Sequence, residues 1–179
     1  MADEILSIKA AIRNVPDFPV PGVLFKDITP VLRDPGLLST AVEALSAYAR
    51  TREAQVIAGI ESRGFILGAP VAMALGIPFV PVRKAGKLPW DTIKASYELE
   101  YGTAEIEVHR DAFGPGERVV IIDDLLATGG TACAACELVE QTGAVVAGCG
   151  FLIELTFLNG AAKLRRYDFE SLVRFGAGE

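Results

Sequence analysis

The sequence contains few of the residues on which zinc sites and histidine-based hydrolases depend. Among 179 residues there are one histidine and three cysteines. His109 is not accompanied by side chains that would complete a zinc site or a Ser-His-Asp arrangement. Cys133 and Cys136 have the C-x-x-C spacing, but on a predicted core-facing helix this spacing places them on neighbouring turns, and Cys149 falls in an apolar run. We therefore assign no metal-binding, hydrolytic or redox role to these residues.

An excess of positive charge is also absent. The formal net charge is −6, and proteins that bind nucleic acid usually present a basic face, so we expect no nucleic-acid partner. The uncharged run 64–82 is about long enough for a membrane helix, but its glycines and prolines divide it into a shorter helix and a strand. Residues 1–15 are acidic and amphipathic and lack the pattern of a secretory signal. These features predict a cytoplasmic protein without a membrane partner.

What the sequence does contain is an alternation of apolar strands with helices. With a hydrophobic content of 51% in 179 residues, one domain with one core is expected. Helices are predicted near 3–12 and 37–50, on either side of an irregular proline-rich passage, and again after the segments VIAGI and VVIID. YELEY and AEIEVHR are predicted to form a hairpin that turns at Gly102, and PFVPV and AVVAGCGFLIEL to form two further strands. The pattern predicts an α/β fold, with a mainly parallel central sheet flanked by helices and with ligands at the carboxyl ends of the strands.

One predicted strand leads into a loop that combines carboxylates with an anion-binding pattern. In RVVIIDDLLATGGTA the strand is followed by Asp123 and Asp124, and then by glycines and threonines at the start of a helix. Successive N–H groups at a helix amino terminus favour phosphate, while the two carboxylates can accept hydrogen bonds from a vicinal diol. Neither a P-loop nor a dinucleotide fingerprint is present. The loop predicts a sugar-phosphate ligand, and a strand end capped by aspartates before a glycine turn is the alternative.

Several motifs resemble those of a known enzyme family. VVIIDDLLATGGTA resembles the phosphoribosyl-diphosphate-binding motif of the type I phosphoribosyltransferases. PGVLFKDITPVL, GIESRGFILG, VRKAGKLP, ASYELEYGTAEIE and FLIEL extend the resemblance, along nearly the whole chain, to the adenine-specific members of that family. The departures are Lys26 in place of a frequent arginine, Trp90 after KLP, and Glu61 where some members have aspartate. They concern contacts to the base and the loops rather than the reaction.

The resemblance implies a reaction and an architecture. The reaction is transfer of the 5-phosphoribosyl group from 5-phosphoribosyl 1-diphosphate to N9 of adenine, which forms AMP and diphosphate in purine salvage. Magnesium is implied as a cofactor held mainly by the diphosphate and water, with no directly ligated residue. Residues 1–179 would form a single phosphoribosyltransferase domain, with a helix and base-binding hood at 1–35, an α/β core at 36–179 and a flexible lid loop at 83–96. A homodimer is implied because this lid lies close to a twofold interface in the family.

The resemblance also implies which residues contact the sugar, its phosphate and the diphosphate. For ribose 5-phosphate these are Tyr101, Asp123, Asp124, Ala127, Thr128, Gly129, Gly130 and Thr131. For the diphosphate they are Glu61, Ser62, Arg63, Arg83, Lys84 and Lys87, with a cis peptide between Glu61 and Ser62. Departure of diphosphate leaves positive charge on the sugar, which the aspartates would stabilise, while Glu61 would face magnesium-bound water.

Two of these assignments have a plain alternative when the residues are considered alone. The segment ESRG can be a connecting loop with a surface Glu–Arg pair. The basic segment RKAGKLPWDTIKA, which also carries Lys94, can be a solvated loop. As a lid it would close over the diphosphate and exclude water, which otherwise competes with adenine for the activated sugar.

Proton transfer and base recognition fall on other segments. Glu98 and Glu100 lie on one face of a predicted strand, where either can be merely solvent-exposed; the resemblance favours Glu100 as the catalytic group that takes the N9 proton. For adenine the resemblance implies contacts from Leu24, Phe25, Lys26 and Leu155. Ala127 stands where 6-oxopurine-specific members carry an aspartate that meets N7 of the base, so a preference for adenine over hypoxanthine and guanine is expected.

Two other functions share these motifs. One is a phosphoribosyltransferase that acts on a different base, and the other is a non-catalytic regulator that senses phosphoribosyl diphosphate with the same fold. A regulator commonly needs an added element that binds nucleic acid. A chain of 179 residues with a net charge of −6 has neither the spare length nor the basic face for one.

Overall fold

The computed structural model describes residues 2–98 and 103–179. Five α-helices are formed within these ranges: α1 (Ala2–Ala11), α2 (Thr29–Arg33), α3 (Pro35–Thr51), α4 (Arg63–Leu75) and α5 (Gly130–Gln141). The strands are β1 (Arg13–Pro16), β2 (Leu24–Asp27), β3 (Val56–Ile60), β4 (Phe79–Lys84), β5 (Thr92–Glu98), β6 (Thr103–His109), β7 (Arg118–Leu126), β8 (Val145–Leu155) and β9 (Phe169–Phe175). Short 3-10 turns cover Thr156–Leu158 and Gly160–Ala162.

Seven strands form the central sheet, in the order β5-β6-β4-β3-β7-β8-β9. The pairs β3–β4, β3–β7, β7–β8 and β8–β9 are parallel, whereas β6 runs antiparallel to both β4 and β5. The prediction of a mainly parallel sheet is therefore confirmed. The pairing of YELEY with AEIEVHR is confirmed for Tyr97 and Glu98, whereas residues 99–102, with the predicted turn at Gly102, lie outside the described residues. The carboxyl ends of β3 and β7 are neighbours at one edge of the sheet, which is where ligands bind in such folds.

Helices cover both faces of the sheet because the strands are apolar on both sides. Along β7, Val119 and Ile121 pack with α5, while Val120 and Ile122 pack on the opposite face with α1, α3 and α4. All four side chains are fully buried, and each contributes about 1.5–3 kcal/mol of hydrophobic stabilisation. The continuous apolar run in the sequence thus reflects a strand buried on both faces.

The amino-terminal hood is more regular than the sequence predicts. The passage expected to be irregular contains β1 and β2, which pair antiparallel as a separate ribbon, and then α2. Strands of four residues between prolines are too short to show a periodic pattern, so the sequence did not reveal them. Strand β9 was not expected either; it adds to the sheet in parallel beside β8.

The uncharged run 64–82 is divided as predicted. Most of it forms α4, which ends at Gly76 in a left-handed conformation with φ of 67°, and the remainder leads into β4. Within the part of the chain that the structure describes, no helix has both the length and the apolar character needed to cross a membrane.

Candidate active site

The loops that follow β3 and β7 line one pocket of about 370 Å³. Its lining residues are Ile60, Glu61, Ser62, Arg63, Lys84, Tyr97, Asp123, Asp124, Leu125, Ala127 and Thr131. The structure therefore brings together the ESRG loop, the aspartate pair and the glycine-threonine loop, as the sequence predicts. Another surface cavity, of about 630 Å³, lies beside Arg13 and Arg33, but none of these strand-end residues lines it.

The two loops can meet because Gly64 carries no side chain. A Cβ at this position would lie 2.7 Å from the carbonyl oxygen of Ile122 and 2.9 Å from Oδ1 of Asp123. Both distances are shorter than real Cβ contacts, so any other residue would push α4 away from the end of β7. Gly64 thus allows the ESRG loop to lie close to the aspartate pair.

Asp123 and Asp124 lie where ionisation of their carboxyl groups costs free energy. Asp124 is 5% exposed, and Oδ1 of Asp123 accepts a hydrogen bond of 2.9 Å from the backbone N–H of Asp124. Burial raises the pKa of Asp123, and the neighbouring charge of Asp124 raises it further. Burial also raises the pKa of Asp124, although the guanidinium of Arg63 opposes this shift. Hydroxyl donors from a sugar would relieve this cost by hydrogen bonding to the carboxylates.

Arg63 links the carboxylates to the base-binding hood. Its Nε lies 2.6 Å from Oδ2 of Asp124, and its guanidinium lies 5.4 Å from the centre of the Phe25 ring. The resemblance implied only a diphosphate contact for Arg63, and the spacing of the motifs gave no indication of its contacts with Asp124 and Phe25. Because they join residues far apart in the chain, only the folded arrangement reveals them.

Ala127–Ala132 form a cradle at the amino terminus of α5, around a cavity of about 70 Å³. The N-cap is Gly129, with φ of 78°, and it has no side chain that would cap the helix. The first N–H groups of α5 are therefore directed to the cavity, where the helix dipole favours a phosphate.

The back of this cradle is a turn that sequence reasoning missed. A Cβ at Gly129 would lie only 2.6 Å from the carbonyl oxygen of Gly160. Gly160 follows Asn159, which has a positive φ of 55°. The Asn-Gly dipeptide was the available signal, since it commonly marks a turn, but nothing local indicates that this turn packs against the phosphate loop.

The ESRG loop is organised around Glu61. The Glu61–Ser62 peptide is cis, which confirms the expectation from the resemblance. Oε2 of Glu61 accepts hydrogen bonds of 3.1 Å from Nε of Arg83 and from the backbone N–H of Lys84. Burial opposes ionisation of Glu61, but the hydrogen bonds and the cationic side chains of Arg83 and Lys84 prevail and lower its pKa. An ionised carboxylate among cations suits a site where a polyanion and a metal ion meet.

The basic segment that was predicted as a lid is a loop over a shorter range than expected. Of the range 83–96, Arg83 and Lys84 end β4, and Thr92–Ser96 belong to β5, where they pair with β6. The connecting loop is 85–91, and it contains Lys87. Lys94 is an exposed residue on β5 and pairs in register with Glu107. The loop is shorter than expected because residues 92–98 form a strand once β6 lies beside them, and this pairing is not visible in the local sequence.

Phe25 and Leu155, which the resemblance assigns to the base, lie on β2 and at the buried carboxyl end of β8, and neither lines the 370 Å³ pocket. Phe25 lies on β2 and makes an edge-to-face contact with Phe18 at 5.1 Å between ring centres. Lys26 is 6% exposed, and its Nζ contacts Oδ1 of Asn14 at 2.7 Å and the Phe175 ring at 4.1 Å. Within the described ranges β2 pairs only with β1. Its other edge therefore offers backbone groups, including those of Leu24 and Lys26.

Glu100 and Tyr101 lie outside the described residues. The two strands that flank them are described, and Glu98 of β5 pairs with Thr103 of β6. Tyr97, one residue before Glu98, lines the 370 Å³ pocket. The described end of β5 therefore lies at the margin of the pocket. Among the residues that are described, no group of three or more His, Cys, Asp or Glu side chains is placed to hold a metal ion.

Comparison with known proteins adds independent information. A family model described as the phosphoribosyl transferase domain matches residues 31–171. The adenine phosphoribosyltransferase of Roseiflexus sp. (strain RS-1) is 54% identical over 164 residues, which cover 92% of this chain and 95% of that protein.

Solved structures show the same likeness. The crystal structure of adenine phosphoribosyltransferase from Thermoanaerobacter pseudethanolicus is 53% identical, with a TM-score of 0.93 over 96% of this chain and 99% of that one. The enzyme from Saccharomyces cerevisiae, solved with an imino-altritol bisphosphate and adenine, is 43% identical, with a TM-score of 0.92 over 96% and 99% of the two chains.

Proposed function

The chain belongs to the adenine phosphoribosyltransferase family, and we propose that it transfers the 5-phosphoribosyl group from 5-phosphoribosyl 1-diphosphate to N9 of adenine. The products are AMP and diphosphate, which makes the reaction one of purine salvage. The observation that carries the proposal is one pocket lined by the aspartate pair, Glu61 and the cations Arg63 and Lys84, with the amide cradle in a smaller cavity that also borders Asp123.

The aspartate pair and the cradle bind the ribose 5-phosphate. The 5-phosphate accepts hydrogen bonds from the N–H groups at 129–131, and the ribose hydroxyls donate to Asp123 and Asp124. As the bond between C1 and the diphosphate oxygen breaks, positive charge develops on the sugar. The two carboxylates stabilise that charge because they are fixed beside the ring before the reaction begins.

The cationic loop binds the leaving diphosphate. Arg83 and Lys84 already surround Glu61, and Lys87 belongs to the adjacent loop 85–91. The donor set also fits a hydrated magnesium ion, because Glu61 and Asp124 line the same pocket as Lys84 and could accept hydrogen bonds from its bound water. A bound magnesium ion would neutralise charge on the leaving group.

Base recognition and proton removal complete the reaction. The lone pair of N9 forms the new bond to C1, and the proton of N9 passes to Glu100. Phe25 stacks on the base, Leu155 closes its apolar side, and backbone groups of β2 meet the edge that carries the 6-amino group. Ala127 lacks the carboxylate that would favour a 6-oxopurine. The pocket therefore selects adenine.

We propose a homodimer in which two copies meet through α4. Ile66 and Met73 are 42% and 83% exposed, and their spacing of two helical turns places them on one face. A second copy of this chain is the occupant that family membership favours, and it would bury this apolar face beside the diphosphate loop.

One assay tests the reaction. The protein is mixed with 5-phosphoribosyl 1-diphosphate, magnesium and equal concentrations of adenine, hypoxanthine and guanine, and the nucleotides formed are separated. We expect AMP to exceed the other two by orders of magnitude, because mismatched fixed donors and acceptors are costly. Inosine or guanosine monophosphate in similar amount would refute the base assignment alone, and formation of no nucleotide would refute the activity.

A further inference from the structure

Strand β6 carries a buried carboxylate that the reaction described above does not use. Glu107 is 2% exposed. Its Oε1 accepts hydrogen bonds from the backbone N–H groups of Lys87 and Leu88, at 2.9 and 3.0 Å. Its Oε2 accepts a longer hydrogen bond of 3.3 Å from the hydroxyl of Thr92. Glu107 therefore binds the backbone of the loop 85–91 from within the sheet.

This carboxylate is ionised in spite of its burial. Burial by itself would raise the pKa of Glu107, but hydrogen bonds from Leu88, Gly86, Lys87 and Thr92 outweigh burial and lower it. A buried charge is costly unless such donors surround it. A site that needed only packing would be served by an apolar side chain, so the donors indicate that the position of the loop matters.

The loop transmits this anchoring to the diphosphate site. Nη1 of Arg83 donates a hydrogen bond of 3.0 Å to the carbonyl oxygen of Lys87. Nε of the same guanidinium donates to Oε2 of Glu61 at 3.1 Å. A continuous series of hydrogen bonds thus leads from Glu107, through the backbone at Lys87 and through Arg83, to the carboxylate beside the cis peptide.

We propose that Glu107 is a positioning residue for the diphosphate half of the substrate. It holds the loop 85–91 so that the carbonyl of Lys87 orients Arg83 against Glu61, which lines the pocket. The inference rests on the proposed function, because it presumes a diphosphate in this pocket. Its consequence is selective: loss of the anchor weakens binding of diphosphate groups and leaves recognition of adenine unchanged.

Glu107→Gln tests the proposal, because it keeps the volume and one accepting oxygen while removing the charge. We expect the KM for 5-phosphoribosyl 1-diphosphate and the Kd for inorganic diphosphate with magnesium to rise about tenfold, as when one charge-assisted hydrogen bond is weakened. The KM for adenine should change less than about twofold. The matched control is Glu105→Gln on the same strand, since Glu105 is exposed and its Oε1 accepts a hydrogen bond of 3.2 Å from the hydroxyl of Ser96 rather than from the loop 85–91.

A double-mutant cycle separates positioning from general support of the fold. If Glu107 acts through Arg83, the effects of Glu107→Gln and Arg83→Lys on diphosphate binding should be strongly non-additive. Additive effects, or a lowered Tm with unchanged diphosphate affinity, would overturn the proposal. If Glu107→Gln does not fold, Glu107→Asp, which retracts the carboxylate by one methylene, should show the same selective loss.

Calorimetry with inorganic diphosphate distinguishes failure of the proposed transferase activity from failure of the proposed anchoring by Glu107. A wild-type protein that makes no AMP but binds diphosphate, with weaker binding by Glu107→Gln, would refute the activity and support the anchor. A protein that makes AMP with equal diphosphate affinity in wild type and variant would refute the anchor alone. A wild-type protein that binds no diphosphate would refute the anchor as well.

Discussion

At the scale of single residues, the aspartate pair lowers the stability of the fold in a way that a ligand site would explain. Asp123 and Asp124 follow each other at a buried strand end, and burial raises the pKa of both. A carboxyl whose pKa is raised by folding costs stability when it is ionised; this cost declines as the pH falls through the raised pKa and is gone below the ordinary pKa of the unfolded chain. The sequence retains two such groups where apolar residues would stabilise the fold, which is characteristic of a site built for a ligand.

Asp123→Asn should therefore stabilise the protein in the absence of substrate. We expect a higher Tm at pH 7 to 8, where about 1 kcal/mol corresponds to about 2–4 °C, and a smaller difference near pH 4, where the wild-type carboxyl is increasingly protonated. Thermal unfolding at both pH values measures this, with exposed Asp111→Asn as the control. Single-turnover rates should fall in the same variant, because the negative field beside the ribose is reduced. A lower Tm at neutral pH would contradict the electrostatic argument.

Glu100→Gln should lower the turnover without changing folding. The expected loss is about a hundredfold or more, the usual scale for removal of an acid/base group. Steady-state kinetics and thermal unfolding measure the two effects, and Glu98→Gln is the matched control because Glu98 is an exposed glutamate two residues away. A larger loss of turnover in the Glu98 variant would indicate that Glu98, rather than Glu100, takes the N9 proton.

At the scale of elements, the phosphate cradle depends on a close approach of two backbones. The amino terminus of α5 and the turn at Gly160 touch without side chains between them. This contact fixes the direction of the first N–H groups of α5. The cradle is thus a property of two segments about thirty residues apart, rather than of the glycine-threonine loop alone.

Gly129→Ala should damage phosphate binding more than it damages the fold. The left-handed conformation costs a non-glycine residue about 1–2 kcal/mol, and the added Cβ would also lie 2.6 Å from the carbonyl of Gly160. Gly116→Ala is the control, because Gly116 has φ of 76° and open space around its Cβ position. We expect similar strain in both, but loss of 5-phosphoribosyl 1-diphosphate binding by calorimetry in Gly129→Ala only. Equal binding in the two variants would show that the cradle tolerates the clash.

At the scale of the whole molecule, the exposed apolar face of α4 predicts an assembly. Met73 is 83% exposed although it lies on a helix whose other side packs in the core. Met73→Glu should weaken the dimer, because a second copy would have to bury the new charge. Sedimentation velocity measures the shift toward monomer. Val145→Glu, at a position 43% exposed near the start of β8, is the control. A monomeric wild-type protein would contradict the assembly.

The sequence by itself determined the class of fold and the chemistry of the pocket. Continuous apolar segments predict strands buried on both faces, and the strands alternate with helices. The loop ESRG then follows β3. Of DDLLATGGT, which was predicted as a loop, residues 123–126 belong to β7, and only 127–129 connect it to α5. These signals are local, because a strand, a loop and a helix start are each specified by a few consecutive residues.

Only the tertiary structure decided how these segments meet. The contact of Arg63 with Asp124 and Phe25, the turn at Gly160 behind the cradle and the anchoring of the loop 85–91 by Glu107 each join residues that are distant in sequence. Pairing of β5 with β6 likewise leaves only residues 85–91 as a loop in the segment predicted as a lid, and pairing of β1 with β2 forms a separate amino-terminal ribbon. The physical reason is that such contacts depend on which strands become neighbours, and this is decided by burial of the whole core rather than by any local pattern.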